Sequence, residues 1–165
     1  YSCCIVIDAE TCGQVAELHC RIPAHVFAVK CHDLCMRYNQ AHLAVERNNH
    51  GHAVLNILRN QLKYPDLYEY RDYDYKGAVR TVLGWETNVK SKHIMIDELA
   101  RGIAEECLPV RSADLVTECL SYIFNDKGGM GAETGCHDDR IIAMAIALQA
   151  RKVRPTSVIP INKRI

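Results

Sequence analysis

The sequence lacks a long apolar run, a Cys-x-x-Cys pair and an excess of charge of one sign. Because no stretch could span a membrane and no signal peptide is visible, we expect neither a membrane protein nor a secreted one. The 20 basic and 20 acidic residues cancel, so net charge alone does not indicate a nucleic-acid partner. No internal repeat or domain boundary is evident, and 165 residues suffice for one buried core.

The nine cysteines form an odd count, and a chain of this size needs no disulfide framework. We therefore expect free thiols, as in a reducing cytosol. Cys31, His32 and Cys35 could suggest zinc, but Cys31 and Cys35 lie on the apolar face of a predicted helix. Small buried hydrophobic side chains are the preferred interpretation of both cysteines.

Apolar content of 48% and charged content of 24% are typical of a globular protein. The predicted elements, in order, are strands over 3–7 and 14–21, a helix with Pro23 at its first position, a strand over 42–46, a helix over about 52–62, a strand over 67–73, helices capped by Ser91 and Ser112, a loop over 125–135 and a last helix from about Asp138. This order predicts a mixed β-sheet flanked by helices on both faces.

Glu46 directly follows the apolar run Leu43-Ala44-Val45, which is typical of a buried central strand. A buried carboxylate is costly unless it is paired or binds a cation, and α/β sheets bind ligands at the carboxyl ends of their strands. The alternative is an ion pair, although the adjacent Arg47 would point to the opposite face. Asn48 and Asn49 are expected to shape the following turn and to hold the Glu46 carboxylate by hydrogen bonds.

Asp138 and Asp139 open the last helix, after a glycine-rich stretch and His137. One aspartate would be enough to cap the helix, so the second exceeds what capping requires, and from this segment a metal site and helix capping are equally good interpretations. Oxygen ligands without a cysteine or histidine cluster suit Mg²⁺ or Mn²⁺. Two such ions about 3.5–4 Å apart support phosphodiester hydrolysis. That site needs a further carboxylate, for which we expect a strand before Tyr1.

Four segments in order carry a resemblance to a known family: 45–51 (VERNNHG), 64–68 (YPDLY), 84–87 (GWET) with Lys92 nearby, and 135–140 (GCHDDR). Over Tyr1 to about Leu148 the chain resembles the C-terminal nuclease domain of tailed-phage terminase large subunits, in the RNase H-like superfamily. The resemblance implies an RNase H-like nuclease domain over 1–150, with its first strand missing or incomplete. A basic C-terminal tail over 151–165 would follow.

The same resemblance implies a Mg²⁺- or Mn²⁺-dependent endonuclease that cuts concatemeric phage DNA with two metal ions. Glu46 matches the family's second acid, and Asp138 and Asp139 both match the acid pair on its last helix. The family's first aspartate maps to no residue here, which implies an N-terminally truncated and inactive fragment. The implied partners are double-stranded DNA, an upstream ATPase domain, the phage portal and the small terminase subunit. The implied location is the cytoplasm of the infected bacterium.

Lys92, His137 and Arg140 are the candidate DNA-contacting residues. Lys92 is equally well interpreted as a solvated lysine, whereas capping or packing is the preferred interpretation of His137. Trp85 is better interpreted as a core residue than as a base-stacking platform. The tail holds several basic residues and no acid, which is typical either of phosphate binding or of a solvated end: Arg151, Lys152, Arg154, Lys163 and Arg164.

Two other functions are compatible with the residues. One is another RNase H-like nuclease, such as a junction resolvase, which would share the acids but not the terminase-like segments. The other is a non-catalytic DNA-binding or motor-docking module, in which the acids only cap helices and form ion pairs.

Overall fold

A computed structural model describes residues 1–73, 75, 77–124 and 129–153, without the side chain of Asn49. Its elements are β1 (Ser2–Ile7), β2 (Gln14–Cys20), α1 (Ala24–Arg37), α2 (Asn49–Asn56), a π-helical turn (Ile57–Gln61), β3 (Glu69–Tyr73), β4 (Val79–Leu83), α3 (Val89–Ala104), α4 (Ala113–Leu120), β5 (Tyr122–Phe124), β6 (Met130–Ala132) and α5 (Asp139–Val153). The predicted α/β class is confirmed. Residues 125–128 of the predicted loop and 154–165 of the predicted tail lie outside the described residues.

The named strands form three antiparallel hairpins, β1–β2, β3–β4 and β5–β6. The predicted strand over 42–46, called here the central segment, is extended and makes two isolated parallel bridges, Leu43 with Leu67 and Glu46 with Trp85. The two bridges are separated because the chain leaves this edge after Tyr68, forms the β3–β4 hairpin and returns at Gly84. The Gly84 amide donates to the Tyr68 carbonyl at 2.8 Å. Over the described residues, therefore, hairpins and bridges replace the single continuous mixed sheet that the sequence predicts.

Helices cover both faces of the layer that contains β1 and the central segment. Leu43 and Val45 belong to the core beneath α1 and α2, with Cys4 of β1. Ala44, between them, packs instead in the core that α3 and α5 cover, with Ile5. This alternation follows from the two-residue repeat of extended chain. The prediction of helices on both faces is therefore confirmed for this layer.

Small side chains on α5 face the protein interior. Ala145 is fully buried and Ala150 is 4% exposed in α5, which packs against β1 and α3. A helix with alanine at its contact positions can approach a strand layer more closely than one with leucine. The first turn of α5 lies near the start of β1, since Asp139 Oδ2 is 3.5 Å from Nε2 of His19, the residue that pairs with Cys3.

Three local predictions differ from the structure. Pro23 is the N-cap of α1 and not its first helical residue. Asn88, not Ser91, caps α3, and Ser91 is the partner residue of a reciprocal capping box. β4 was not predicted because Val79, Arg80 and Thr81 are all exposed, which removes the alternation that marks a half-buried strand. The capping of α4 by Ser112 is confirmed by its 3.1 Å bond from the Leu115 amide.

The thiol predictions are also confirmed. All nine cysteines are free. Cys31 and Cys35 are each 2% exposed and pack with Cys4 in the core beneath α1. A hydrogen bond with Cys4, together with burial, raises the pKa of the Cys35 thiol well above its usual value. These thiols therefore act as small hydrophobic side chains.

Candidate active site

A cleft of about 2380 Å³ runs between β1 and the central segment. Its lining includes all three predicted acids, Glu46, Asp138 and Asp139. Lys92 and Thr87 line it as well. Residues more than 90 positions apart in the sequence thus border one cavity, in which the acidic side chains are half-buried.

Glu46 ends the central segment, where Asn48 holds its carboxylate. Glu46 Oε2 accepts a 2.9 Å hydrogen bond from Asn48 Nδ2. The Asn48 Oδ1 atom in turn accepts from the Gly51 amide at 2.8 Å, which caps α2. Asn48 thus ties the carboxylate to the start of a helix, the arrangement predicted for it. The predicted role of the Asn49 side chain lies outside the described residues.

Arg47 is paired away from this cleft. Its Nη1 atom lies 3.6 Å from Glu86 Oε2, whose carboxylate also accepts a 2.8 Å bond from the Tyr70 hydroxyl. The structure therefore pairs Arg47 with Glu86 and not with Glu46. Among the described residues, no Lys or Arg lies within ion-pair distance of Glu46.

Gly51 keeps the turn after Glu46 tight. A Cβ atom at Gly51 would lie 1.7 Å from the Glu46 carbonyl oxygen, far closer than any real contact. Only glycine therefore allows α2 to begin so near the end of the central segment. The position of Glu46 depends on this close approach.

The first turn of α5 is capped from another helix. Glu118 of α4 accepts hydrogen bonds through Oε2 from the amides of Arg140 at 2.8 Å and Ile141 at 3.3 Å. The interpretation of Asp138 and Asp139 as helix caps therefore loses its main basis, since Glu118 already satisfies these amides. Sequence reasoning missed Glu118 because no local pattern links α4 to a helix that starts some twenty residues later.

Asp138 lies among Lys92, Tyr122 and the backbone of β6. Its Oδ2 atom is 3.9 Å from Lys92 Nζ. Lys92 Nζ also lies 5.9 Å from the centre of the Tyr122 ring. Burial, followed by the charge of Asp138, raises the pKa of Tyr122 to about 12. Lys92 is thus held at the cleft by a carboxylate and an aromatic ring.

Asp139 lies between two histidines. Its Oδ2 atom is 3.5 Å from His19 Nε2 and 3.8 Å from His137 Nδ1. The Tyr1 ring stacks on His19 at 5.0 Å and meets His137 edge-on at 4.9 Å. His19 was not singled out from the sequence, because it sits in an ordinary strand with no motif around it.

The Arg140 side chain forms ion pairs within the protein. Its guanidinium bonds to three carboxylates: Glu17 at 2.6 Å, Asp114 at 2.7 Å and Glu118 at 2.8 Å. The side chain is 12% exposed. Burial opposes its charge, but the hydrogen bonds with Glu17 and Glu118 outweigh burial and raise the pKa of Arg140. This geometry supports a structural role for Arg140 rather than the predicted DNA contact.

The chemistry of the cleft acids fits a hard divalent cation, because they offer carboxylate oxygens and no thiolate. Their convergence is incomplete, since among the described residues no three His, Cys, Asp or Glu side chains lie close enough together to hold a metal ion. The three acids therefore line one cleft without forming a metal-binding group among the residues that the structure describes.

A scan of the sequence against protein-family models found no match, and a search of curated proteins found no matching relative. None of the helices in the described ranges is both long and apolar enough to cross a membrane.

Proposed function

We propose that this chain is a Mg²⁺- or Mn²⁺-dependent endodeoxyribonuclease domain of the terminase large-subunit type, with an RNase H-like fold, which cuts concatemeric phage DNA. The observation that carries the proposal is the shared cleft of Glu46, Asp138 and Asp139. The layer with helices on both faces supports the fold part of the proposal.

The three carboxylates are the groups that would hold the metal ions. When bound, two such ions activate the attacking water and stabilise the oxygens of an in-line phosphodiester displacement. Asn48 keeps the Glu46 carboxylate oriented through its 2.9 Å hydrogen bond. The cap that Glu118 provides leaves the Asp138 and Asp139 side chains available to the cleft.

Lys92 is the residue best placed to bind phosphate. Its ammonium group borders the cleft beside Asp138, and its side chain is 28% exposed. An ammonium group there would neutralise a DNA phosphate that approaches the acids. His137, 56% exposed and next to Asp138, is a second candidate contact. Both contacts would be to the phosphate backbone of DNA, so little preference for DNA sequence is expected.

The remaining parts of the proposal follow from the sequence resemblance alone. They are an upstream ATPase domain, the phage portal and small terminase subunit as partners, and a further aspartate on a strand before Tyr1. They also include the cytoplasm of the infected bacterium as the location. Phosphate binding by the basic tail is proposed instead from its run of basic residues.

Cleavage of supercoiled plasmid with Mn²⁺ or Mg²⁺ tests the proposal, using a polypeptide that includes the strand expected before Tyr1. Glu46→Ala should abolish cleavage and leave the circular dichroism spectrum unchanged. The matched control is Asp97→Asn, which alters an exposed acid of α3 outside the cleft and should cut normally. Cleavage retained by Glu46→Ala would contradict the assignment.

Metal binding without cleavage of linear DNA, combined with cleavage of four-way junctions, would favour a resolvase. DNA binding that neither requires nor responds to divalent cations would favour a non-catalytic docking module.

A further inference from the structure

A smaller pocket lies between α2 and β4, apart from the cleft that holds the acids. It has a volume of about 350 Å³. Its lining comprises Arg47, His52, Leu55, Arg80, Thr81, Val82 and Leu83. Of the described residues, none lines both this pocket and the larger cleft. The pocket is therefore separate from the proposed nuclease site.

The pocket lies on the side of the central segment opposite to the acids. Neighbouring residues of an extended chain point to opposite faces, so Arg47 points away from the cleft that Glu46 lines. The Arg47 amide donates to the Trp85 carbonyl at 2.7 Å. This bond holds the Arg47 backbone beside the chain that leaves β4.

Gly84, directly after β4, lets the chain close against the wall of the pocket. Its φ angle of +85° lies in the left-handed region that favours glycine. A Cβ atom at Gly84 would lie 2.8 Å from Arg47 Cγ and 2.7 Å from Leu55 Cδ1, closer than real contacts. Two of the segments that carry the sequence resemblance, 45–51 and 84–87, therefore meet beside this pocket.

The polar groups of the pocket are mainly hydrogen-bond donors. Arg47 and Arg80 supply guanidinium groups, and Thr81 supplies a hydroxyl. None of the lining residues in the described part of the chain carries a carboxylate. The planar guanidinium group matches the geometry of phosphate oxygens and can bind two of them at once. This set of groups therefore favours a phosphate over a cation.

Each arginine has a carboxylate neighbour outside the lining of the pocket. Arg47 Nη1 is 3.6 Å from Glu86 Oε2, which is longer than a hydrogen bond. Arg80 donates from Nε to Asp72 Oδ2 at 2.9 Å, and its side chain is 70% exposed. Exposed ion pairs contribute little free energy. A phosphate can therefore compete with these carboxylates for the two arginines.

The remaining wall of the pocket is apolar. Leu55 is 5% exposed, Val82 is 9% exposed and Leu83 is half-buried. Small-molecule sites have volumes of about 300–1,000 Å³ and combine apolar walls with a few polar groups. Inorganic phosphate alone would leave the apolar wall without a contact. A phosphate joined to a sugar uses both parts of the lining.

We propose that this pocket binds the phosphate and sugar of a nucleotide. Arg47 is the principal phosphate ligand, Arg80 and Thr81 donate to the same phosphate, and the sugar contacts Leu55 and Val82. A free mononucleotide and a nucleotide within a DNA strand offer the same chemistry. The proposal goes beyond the nuclease function, because it uses none of the acids of the cleft.

Titration of the chain with adenosine monophosphate, followed by the amide chemical shifts in NMR spectra, tests the pocket. We expect saturable shifts at Leu55, Thr81 and Val82. Arg47→Gln should weaken binding by at least about tenfold, because the phosphate loses its charged donor. The matched control Arg101→Gln, on an exposed arginine of α3 outside the pocket, should bind as the wild type does. Unperturbed amides, or equal affinities of wild type and Arg47→Gln, would overturn the proposal.

Glu86→Gln tests the same site with the opposite sign and protects the test against an Arg47 variant that fails to fold. Because Glu86 competes with phosphate for Arg47, its neutralisation should tighten the binding of adenosine monophosphate by about threefold or more. Asp97→Asn, on an exposed acid of α3, should leave the affinity unchanged. Unchanged or weaker binding by Glu86→Gln would overturn Arg47 as the phosphate ligand.

Duplex DNA distinguishes the two sources of the nucleotide. For a nucleotide within DNA, Arg47→Gln should weaken duplex binding and reduce the slope of log K against log salt by about one. For a free mononucleotide, the duplex affinities of wild type and Arg47→Gln should coincide while their affinities for adenosine monophosphate differ. None of these measurements depends on cleavage, so the pocket and the nuclease proposal can fail separately.

Discussion

Replacing Arg140 with methionine should destabilise the protein by about 3–5 kcal/mol, because it leaves buried carboxylates without their cation. The cost comes mainly from Glu118, which is 8% exposed, and from Glu17, which is 19% exposed. Asp114 is 72% exposed, so its pair with Arg140 should contribute less than about 1 kcal/mol. For a chain of this size the loss corresponds to a fall in melting temperature of roughly 6–20 °C.

Urea denaturation at pH 7, followed by circular dichroism, measures this loss. Arg71→Met is the matched control, since Arg71 is an exposed arginine of β3. It should change the free energy of unfolding by less than about 0.5 kcal/mol. The double variant Arg140→Met with Glu17→Gln should recover part of the lost stability, because one uncompensated charge is removed with its partner.

A loss below about 1 kcal/mol for Arg140→Met would refute this reasoning. Weaker DNA binding by Arg140→Met at unchanged stability would do the same, and would restore the earlier expectation that Arg140 contacts DNA.

Further predictions concern pH, the turn after Glu46 and DNA binding. Burial opposes the charge of Glu17, but hydrogen bonds from Arg140, Ser112 and Gln14 outweigh it and lower the pKa of Glu17 below its usual 4.5. The contribution of Glu17 to stability is therefore full above pH 4.5 and is lost as the pH falls through its folded-state pKa. The difference in unfolding free energy between wild type and Glu17→Gln should shrink from about pH 7 to about pH 3. A difference that stays constant over this range would contradict the prediction. Gly51→Ala should destabilise by about 2 kcal/mol or more in urea denaturation, because the added Cβ meets the Glu46 carbonyl oxygen. Gly102→Ala in α3, where a Cβ would meet Leu108 only at 3.4 Å, is its control and should be neutral or stabilising. Binding to duplex DNA should weaken steeply with salt, and Lys92→Gln should reduce the slope of log K against log salt by about one; an unchanged slope would remove Lys92 from the interface.

The sequence predicted the parts of the fold that depend on local patterns. Cys31 and Cys35 repeat at helical spacing with Phe27, and all three are buried on one face of α1. The apolar run before Glu46 alternates between two cores because extended chain alternates its side chains. Such patterns lie within one segment, so they can be recognised in the sequence without knowing which other segment packs against it.

The parts that the sequence did not predict depend on contacts between distant segments. The cap of α5 comes from Glu118 on another helix, and Arg140 reaches carboxylates on β2 and α4. An arginine after two aspartates has the same local sequence whether it binds DNA or an internal cluster. β4, with its first three residues exposed, pairs through its backbone and leaves little side-chain pattern.

The most direct test of the central claim is a calorimetric titration of the chain with Mn²⁺. We expect saturable binding that Glu46→Gln and Asp138→Asn each weaken at least about tenfold, which is about 1.4 kcal/mol, while Asp97→Asn binds as the wild type does. Binding isotherms that coincide for wild type, Glu46→Gln and Asp138→Asn, or no heat at all with the wild type, would contradict a shared cation site in this cleft.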